Sequence, residues 1–82
     1  MNEEQIREKI IEILGGYVRN PALLEGATAE TRIIDDLKVN SARLVDVIIK
    51  CEDVFGYSID DDEANRISTI GDVVMLMQKK SV

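Results

Sequence analysis

The sequence predicts an all-α fold, a four-helix bundle in which the third helix is short and a long loop joins the first two. Two observations predict it. Apolar residues recur at intervals of three and four along three stretches, and no stretch of useful length alternates apolar and polar residues as a half-buried strand does. The chain has 82 residues, so we expect a single domain over 1–82.

The first helix is predicted over residues 3–19. Asn2 and Gln5 have the spacing of a capping box at its start. Its apolar stripe consists of Ile6, Ile10, Ile13, Leu14 and Tyr17, with Val18 at the edge. Gly15-Gly16 weakens the helix, but the stripe continues beyond these glycines. We therefore expect the helix to run on until Asn20-Pro21 ends it.

Residues 20–40 are predicted to form a long connection that contains a turn or two of helix. Ile33, Ile34 and Leu37 are apolar enough to hold this loop against the core. Loops of such length without regular structure are usually functional or flexible.

The second helix, predicted over 41–55, has the clearest pattern. One face carries the apolar residues Leu44, Ile48, Cys51 and Phe55, flanked by Val45 and Val47, and the opposite face carries the charged residues Arg43, Asp46, Lys50 and Asp53. Asp46 and Lys50 are spaced for an i,i+4 ion pair. Cys51 is predicted to be a buried, inert thiol. Ile49 and Val54 lie off the buried stripe and are predicted to be partly exposed.

Two more helices are predicted near the C-terminus, over 61–66 and 70–79. The acidic run Asp60–Glu63 lacks the spacing and central glycine of a calcium-binding EF-hand loop, so we interpret it as the solvated start of a helix. Thr69 is predicted to cap the last helix, with Asp72 at its third position.

The composition excludes several classes of function. The absence of His excludes Ser-His-Asp and Cys-His nucleophiles and imidazole metal ligands. A single Cys permits no internal disulfide, which favours a reduced, cytoplasmic setting. The acidic net charge of −6 argues against nucleic-acid binding. The polar N-terminus and the short apolar runs argue against a secretory signal and membrane insertion, and we expect a monomer.

Ser41 is the first residue whose position suggests chemistry, because it lies where the long loop enters the second helix. In one interpretation its side chain only caps the helix. In the other, its exposed hydroxyl at a positive helix end carries a phosphodiester. No second catalytic group accompanies Ser41, so any reaction there requires another protein.

The segment around Ser41 resembles the attachment motif Asp-Leu-Gly-x-Asp-Ser-Leu of the acyl carrier proteins. The corresponding residues here are Asp36-Leu37-Lys38-Val39-Asn40-Ser41-Ala42. The likeness continues without a gap through Val45-Asp46-Val47-Ile48, Glu52-Asp53-Val54-Phe55-Gly56, Ile59-Asp60-Asp61-Asp62, Ala64, Arg66-Ile67-Ser68-Thr69-Ile70 and Asp72. It covers nearly the whole chain, although the loop at 20–32 is somewhat longer than usual.

The resemblance implies an acyl-carrier-type bundle in which Ser41 is esterified by 4′-phosphopantetheine. A separate, magnesium-dependent phosphopantetheinyl transferase would deliver this arm from coenzyme A. The terminal thiol of the arm would hold acyl groups as thioesters and present them to acyltransferases, synthases or ligases of fatty acid biosynthesis or related lipid metabolism. Such a protein is a carrier and not an enzyme.

The resemblance also implies two sets of binding residues. Partner enzymes would dock mainly on the second helix, at Asn40, Ala42, Arg43, Asp46, Val47, Ile49, Lys50, Glu52, Asp53 and Val54. The acyl chain would be sheltered among the helices by Leu44, Ile48, Cys51, Phe55, Ile59, Ile67, Ile70 and Val74. An aliphatic interior with few aromatic rings is suited to parting around a flexible chain.

The sequence departs from the family motif at three positions. Asn40 replaces an Asp, Ala42 replaces a Leu and Lys38 replaces the Gly, while Arg43 and Lys50 add positive charge to a usually acidic helix. We therefore hypothesise a specialised carrier with dedicated partners. Two alternatives remain open: a peptidyl or aryl carrier of a nonribosomal or polyketide pathway, and a carrier-like interaction module that is never modified.

Overall fold

The computed structural model describes residues 2–81, which form an all-helical bundle and so confirm the predicted fold class. Its elements, in chain order, are α1 (Glu3–Gly15), a 3-10 helix (Pro21–Leu24), α2 (Ser41–Phe55), α3 (Asp61–Asn65) and α4 (Ile70–Lys80). The predicted bounds of the second helix are confirmed. Among these helices, none is both long enough and apolar enough to span a membrane.

The predicted caps of α1 and α4 are present. The Asn2 side chain accepts a hydrogen bond from the Gln5 backbone N–H at 2.8 Å, and the Gln5 side chain accepts one from the Asn2 backbone N–H at 2.9 Å. Thr69 and Asp72 form the same reciprocal pair at 3.1 and 2.9 Å. Each box satisfies two backbone donors that a helix N-terminus leaves unpaired.

The predicted end of the first helix is wrong, because α1 stops at Gly15 rather than at residue 19. Gly16 caps the helix, and the chain then turns as Tyr17 and Val18 donate backbone hydrogen bonds to the Leu14 carbonyl at 2.9 and 3.0 Å. Val18 is buried and Tyr17 is half-buried. Tyr17 and Val18 therefore lie in a turn, although their spacing continues the apolar pattern of α1. Because the helix ends before them, it does not have to contain both glycines in its interior, where glycine is unfavourable.

The core forms where α1 packs against α4 and, less extensively, against α2. Its buried residues are Ile6, Ile10, Ile13, Leu14, Val18, Ile33, Leu37, Val39, Leu44, Val47, Cys51, Ile67, Ile70, Val73, Val74 and Met77. The predicted buried thiol of Cys51 is therefore confirmed.

The loop between α1 and α2 is held against the bundle. The 3-10 helix confirms the predicted turn, and Ile33 and Leu37 are fully buried as predicted. Ile34 was also predicted to face the core, but 42% of it is exposed. Because the side chains of Ile33 and Leu37 face the core in this tight turn, the side chain of Ile34 is directed outwards.

Backbone hydrogen bonds join this loop to the start of α4. The Ile33 N–H donates to the Ser68 carbonyl at 3.0 Å, and the Gly71 N–H donates to the Ala29 carbonyl at 2.8 Å. The loop approaches Gly71 so closely that a Cβ there would lie 2.8 Å from the Ala29 oxygen. The first turn of α4 thus helps to fix the path of the loop.

The acidic run begins α3, as predicted. The Asp60 side chain accepts a hydrogen bond from the Glu63 N–H at 2.8 Å and forms a capping box with Glu63. This helix ends at Asn65, one residue before its predicted end, because Arg66 serves as its C-cap. The last helix, α4, extends to Lys80, one residue beyond its predicted end.

Candidate modification site

Ser41 is the first residue of α2 and is exposed. The residue before it, Asn40, is the N-cap, since its Oδ1 accepts a hydrogen bond from the Arg43 N–H at 2.8 Å. The interpretation in which Ser41 caps the helix is therefore wrong. Within residues 2–81, no residue forms a side-chain hydrogen bond with the Ser41 hydroxyl. Its oxygen lies at the positive end of α2 and is accessible to a second protein.

Buried residues fix the segment that leads to Ser41. Leu37 and Val39 are 0% and 1% exposed, and the Val39 N–H donates to the Ile33 carbonyl at 3.3 Å. Earlier in the loop, Asp36 Oδ2 accepts a hydrogen bond from the Arg32 N–H at 2.8 Å. Because the side chains of Leu37 and Val39 are buried in the core, the loop holds Ser41 at a fixed position on the surface.

Lys38 has a positive φ of 59°, a conformation that glycine adopts without steric cost. This is the position at which the family motif has Gly. The added charge of Lys38 was evident from the sequence, but its backbone conformation was missed. The motif Gly itself was the signal, since a glycine at a fixed position of a turn often marks a positive φ.

The residues predicted to shelter an acyl chain lie in one hydrophobic cluster. Five of them are buried and three are half-buried: Leu44, Cys51, Ile67, Ile70 and Val74 in the first group, and Ile48, Phe55 and Ile59 in the second. The cluster contains no charged group. Burial raises the pKa of the Cys51 thiol to about 11, so the thiol stays protonated at neutral pH.

Most residues of the predicted docking surface are exposed. The exposed members are Asn40, Ala42, Arg43, Asp46, Ile49, Lys50, Asp53 and Val54. Ile49 is 56% exposed and Val54 is 36% exposed, as predicted from the helix pattern. These two apolar side chains lie on the same helix as the charged residues.

Two members of the predicted docking surface lie elsewhere. Val47 is 1% exposed and belongs to the core, because it lies one turn after Leu44. Glu52 is half-buried, and its Oε2 accepts a hydrogen bond from the Ile59 N–H at 2.8 Å. Glu52 thus fastens the α2–α3 connection to α2 and is not a free surface carboxylate.

The predicted ion pair between Asp46 and Lys50 is absent from the salt bridges formed within residues 2–81. Both side chains instead line a depression of about 320 Å³ that also includes Tyr17, Ile49 and Asp53. Tyr17 reaches this site only because α1 ends at Gly15 and the chain turns towards α2. The prediction of a longer first helix did not anticipate that Tyr17 lies beside these residues of α2.

The described residues contain no group of three or more Cys, Asp or Glu side chains arranged to hold a metal ion. Of the four acidic residues at the start of α3, Asp60 and Glu63 are engaged in capping through reciprocal hydrogen bonds.

Several curated proteins similar to this chain share one name, although no protein-family model matches the chain. The chain is 43% identical to the acyl carrier protein of Thermotoga maritima over 53 residues, which is 65% of either chain. It is 38% identical to the acyl carrier protein of Lactobacillus acidophilus over 74 residues, 90% of either chain. It is 33% identical to that of Desulforapulum autotrophicum over 79 residues, 96% of either chain. Because the last two matches span nearly the full length of both partners, this chain belongs to the acyl carrier protein family.

Proposed function

We propose that this protein carries acyl groups as thioesters on a 4′-phosphopantetheine arm attached to Ser41. The observation that carries the proposal is the exposed Ser41 hydroxyl at the N-terminus of α2, which Asn40 leaves free by capping the helix itself. A transferase can reach this oxygen, which attacks the phosphorus that joins the arm to the rest of coenzyme A. The hydroxyl proton passes to a base of the transferase, the pyrophosphate bond breaks, and adenosine 3′,5′-bisphosphate leaves. The helix N-terminus then favours the negative phosphodiester.

The protein acts as a carrier and not as an enzyme. Ser41 has no neighbouring His to activate it, since the chain contains none. The phosphopantetheinyl transferase therefore supplies the base, and the arm supplies the reactive thiol. The only thiol of the chain, Cys51, is buried and has a raised pKa, so it does not compete with the arm for acyl groups.

The aliphatic cluster around Leu44 and Ile48 is the proposed shelter for the acyl chain. Its buried members are aliphatic apart from Cys51, and the aromatic rings of Phe55, Tyr17 and Tyr57 pack against it only partly buried. Aliphatic side chains change rotamer more readily than large rings and can part around a flexible chain. We place the carrier in the cytoplasm, since its one Cys is a free thiol.

The charges on α2 indicate dedicated partners. Arg43, Asp46, Lys50 and Asp53 form an exposed row in which positive and negative charges alternate. An ordinary basic docking surface would meet unfavourable contacts at Arg43 and Lys50. We therefore propose partners that place acidic groups opposite these two cations and an apolar group beside Ile49.

Intact mass spectrometry tests the attachment site. After incubation with coenzyme A, magnesium and a phosphopantetheinyl transferase, the wild type is expected to gain the mass of one arm. Ser41→Ala is expected to gain none, whereas Ser58→Ala, which alters another exposed serine, should be modified like the wild type. Absence of a mass gain with every transferase tried, including one from the source organism, would contradict the proposal.

An unmodified interaction module is the second candidate function, and Asn40 and Ala42 favour it because they replace motif residues. Protein isolated from its native host distinguishes the two. An arm on Ser41 supports the carrier, and the acyl group on that arm separates fatty acyl from peptidyl or aryl transport. Equal partner binding by wild type and Ser41→Ala, with no arm on the native protein, supports the module.

The proposal of dedicated partners has its own test. The loading and elongation rates of this carrier are measured with housekeeping fatty acid synthase enzymes and compared with those of their usual carrier. Slow loading that improves in the double variant Arg43→Glu/Lys50→Glu is expected. Equal rates for the two carriers would show that the partners are not specialised.

A further inference from the structure

A surface groove of about 220 Å³ lies between α3 and α4. Its apolar lining is formed by Ile67, Met75 and Leu76, and charged side chains surround it: Glu63, Arg66, Asp72 and Lys79. Met75 is 68% exposed, the largest exposure among the large apolar side chains of the described residues that face solvent. None of the residues lining this groove belongs to α2 or to the loop that carries Ser41.

Both carboxylates at the groove are already engaged. Glu63 Oε1 lies 2.9 Å from Lys80 Nζ, and the Glu63 side chain also accepts the Asp60 backbone N–H at 3.1 Å. The hydrogen bond from Lys80 and that backbone contact lower the pKa of Glu63. Asp72 Oδ2 accepts hydrogen bonds from the Ser68 and Thr69 amides, each at 2.9 Å. Lys80 therefore neutralises Glu63, whereas Asp72 keeps its negative charge while two neutral amides hold its carboxylate at the N-terminus of α4.

The two cations at the groove are in the opposite situation. Arg66 and Lys79 are exposed, and neither takes part in a salt bridge with another residue between 2 and 81. Arg66 and Lys79 together outweigh Asp72, so the net charge left at the groove is positive, although the chain as a whole carries −6. A local positive site with an apolar floor complements a negative, apolar ligand.

We propose that this groove binds an acidic segment of a partner protein. One apolar side chain of the segment packs against Met75 and Leu76, and flanking carboxylates pair with Arg66 and Lys79. The site is separate from Ser41, so binding does not depend on the arm. Because the net charge repels an acidic partner at long range, recognition relies on these short-range contacts, within the screening length of about 8 Å at physiological salt.

A synthetic peptide probe tests the proposal on the full chain. The probe is an acetylated, amidated peptide of Glu and Asp residues around one Leu, titrated at physiological salt and followed by amide chemical shifts. Shifts are expected to centre on Arg66, Ile67, Met75 and Lys79. Arg66→Glu/Lys79→Glu should weaken binding about tenfold or more. The matched variant Arg19→Glu removes an exposed cation that lies outside both the groove and α2, and it should bind like the wild type.

Two variants of the peptide test the charged contacts and the apolar contacts separately. Replacing the acids of the peptide by Gln and Asn, or its Leu by Ala, should weaken binding, because each change removes one half of the contacts. Equal binding of these peptides, equal weakening by Arg19→Glu, or shifts centred away from α3 and α4 would overturn the proposal. So would concentration-dependent self-association through this face, or its binding to phosphatidylglycerol vesicles in preference to the peptide.

Discussion

The Oδ1 atom of Asn40 lies 2.8 Å from the backbone nitrogen of Arg43 and accepts its hydrogen bond. Asn40 therefore has a structural task directly beside the proposed modification site. The family motif has Asp at this position, and an Asp side chain accepts the same bond. Replacing Asp by Asn keeps the cap and removes one negative charge from the surface that a transferase meets.

Substitution of Asn40 is expected to separate capping from charge. Asn40→Ala should lower the free energy of unfolding by about 1 kcal/mol, because α2 loses its side-chain acceptor. Asn40→Asp should retain or slightly raise stability, since a negative charge at a helix N-terminus adds about 0.3–1 kcal/mol. Urea unfolding measures both variants. Equal stability of Asn40→Ala and the wild type would show that the cap contributes nothing.

Lys38→Gly is expected to stabilise the protein by about 0.5–1 kcal/mol. Lys38 has a φ of 59°, where a side chain is disfavoured and glycine is not. Lys38→Ala keeps the Cβ and removes only the ammonium group and its stem, so it should leave stability nearly unchanged. The same unfolding measurement compares the two variants, and a loss of stability in Lys38→Gly would contradict the strain inferred at Lys38.

A pair of glycine substitutions tests how closely the loop packs on α4. A Cβ at Gly71 would lie 3.0 Å from the Ala29 Cβ and closer still to the Ala29 carbonyl oxygen. Gly71→Ala should therefore destabilise the protein by about 1–3 kcal/mol.

Gly15→Ala is the matched control, because its nearest neighbour, Leu24 Cδ1, is 3.9 Å away. It should stabilise α1 by up to about 1 kcal/mol through helix propensity alone. Thermal and urea unfolding should give opposite signs for the two variants. A gain from both would mean that the loop is not packed against Gly71.

The buried thiol of Cys51 is expected to make the folded protein less stable at alkaline pH. The pKa of its thiol is raised from 9.0 to about 11 by burial, so above about pH 9 the unfolded chain loses this proton more readily than the folded one. The free energy of unfolding should decrease as pH rises from 9 towards 11, by up to about 1.4 kcal/mol per pH unit. The stabilisation by the protonated thiol is fully present below pH 9.

Cys51→Val serves as the reference, because it keeps an apolar side chain of similar size and has no proton to lose. Its unfolding free energy should fall less steeply over the same pH range. Native wild type should also react with thiol reagents only as fast as it opens. Rapid labelling of the folded protein, or parallel pH profiles for the two proteins, would contradict the burial of this thiol.

Residues close together in the chain were predicted well. Capping depends on contacts three residues apart, so the boxes at Asn2 and Thr69 could be recognised from spacing alone. The same holds for the helical stripe that buries Leu44 and Cys51. The motif around Ser41 likewise marked the proposed modification site before its geometry was known.

Errors arose where contacts between distant residues outweigh local pattern. Tyr17 and Val18 fit a helical stripe, yet they pack from a turn because two glycines end α1 and the loop offers another route to the core. A different error concerns Val47, which the family resemblance assigned to the docking surface although its helical spacing from Leu44 places it on the buried face of α2.

The sequence was sufficient to predict four helices, the caps at Asn2 and Thr69 and the family, since each follows from neighbouring residues or from a motif. The path of the long loop and the hydrogen bond from the Ile59 N–H to Glu52 emerged only from the tertiary structure. These features arise from hydrogen bonds and close packing between segments that are far apart in the chain or in a turn without periodicity. The helix and turn propensities of neighbouring residues do not specify such contacts.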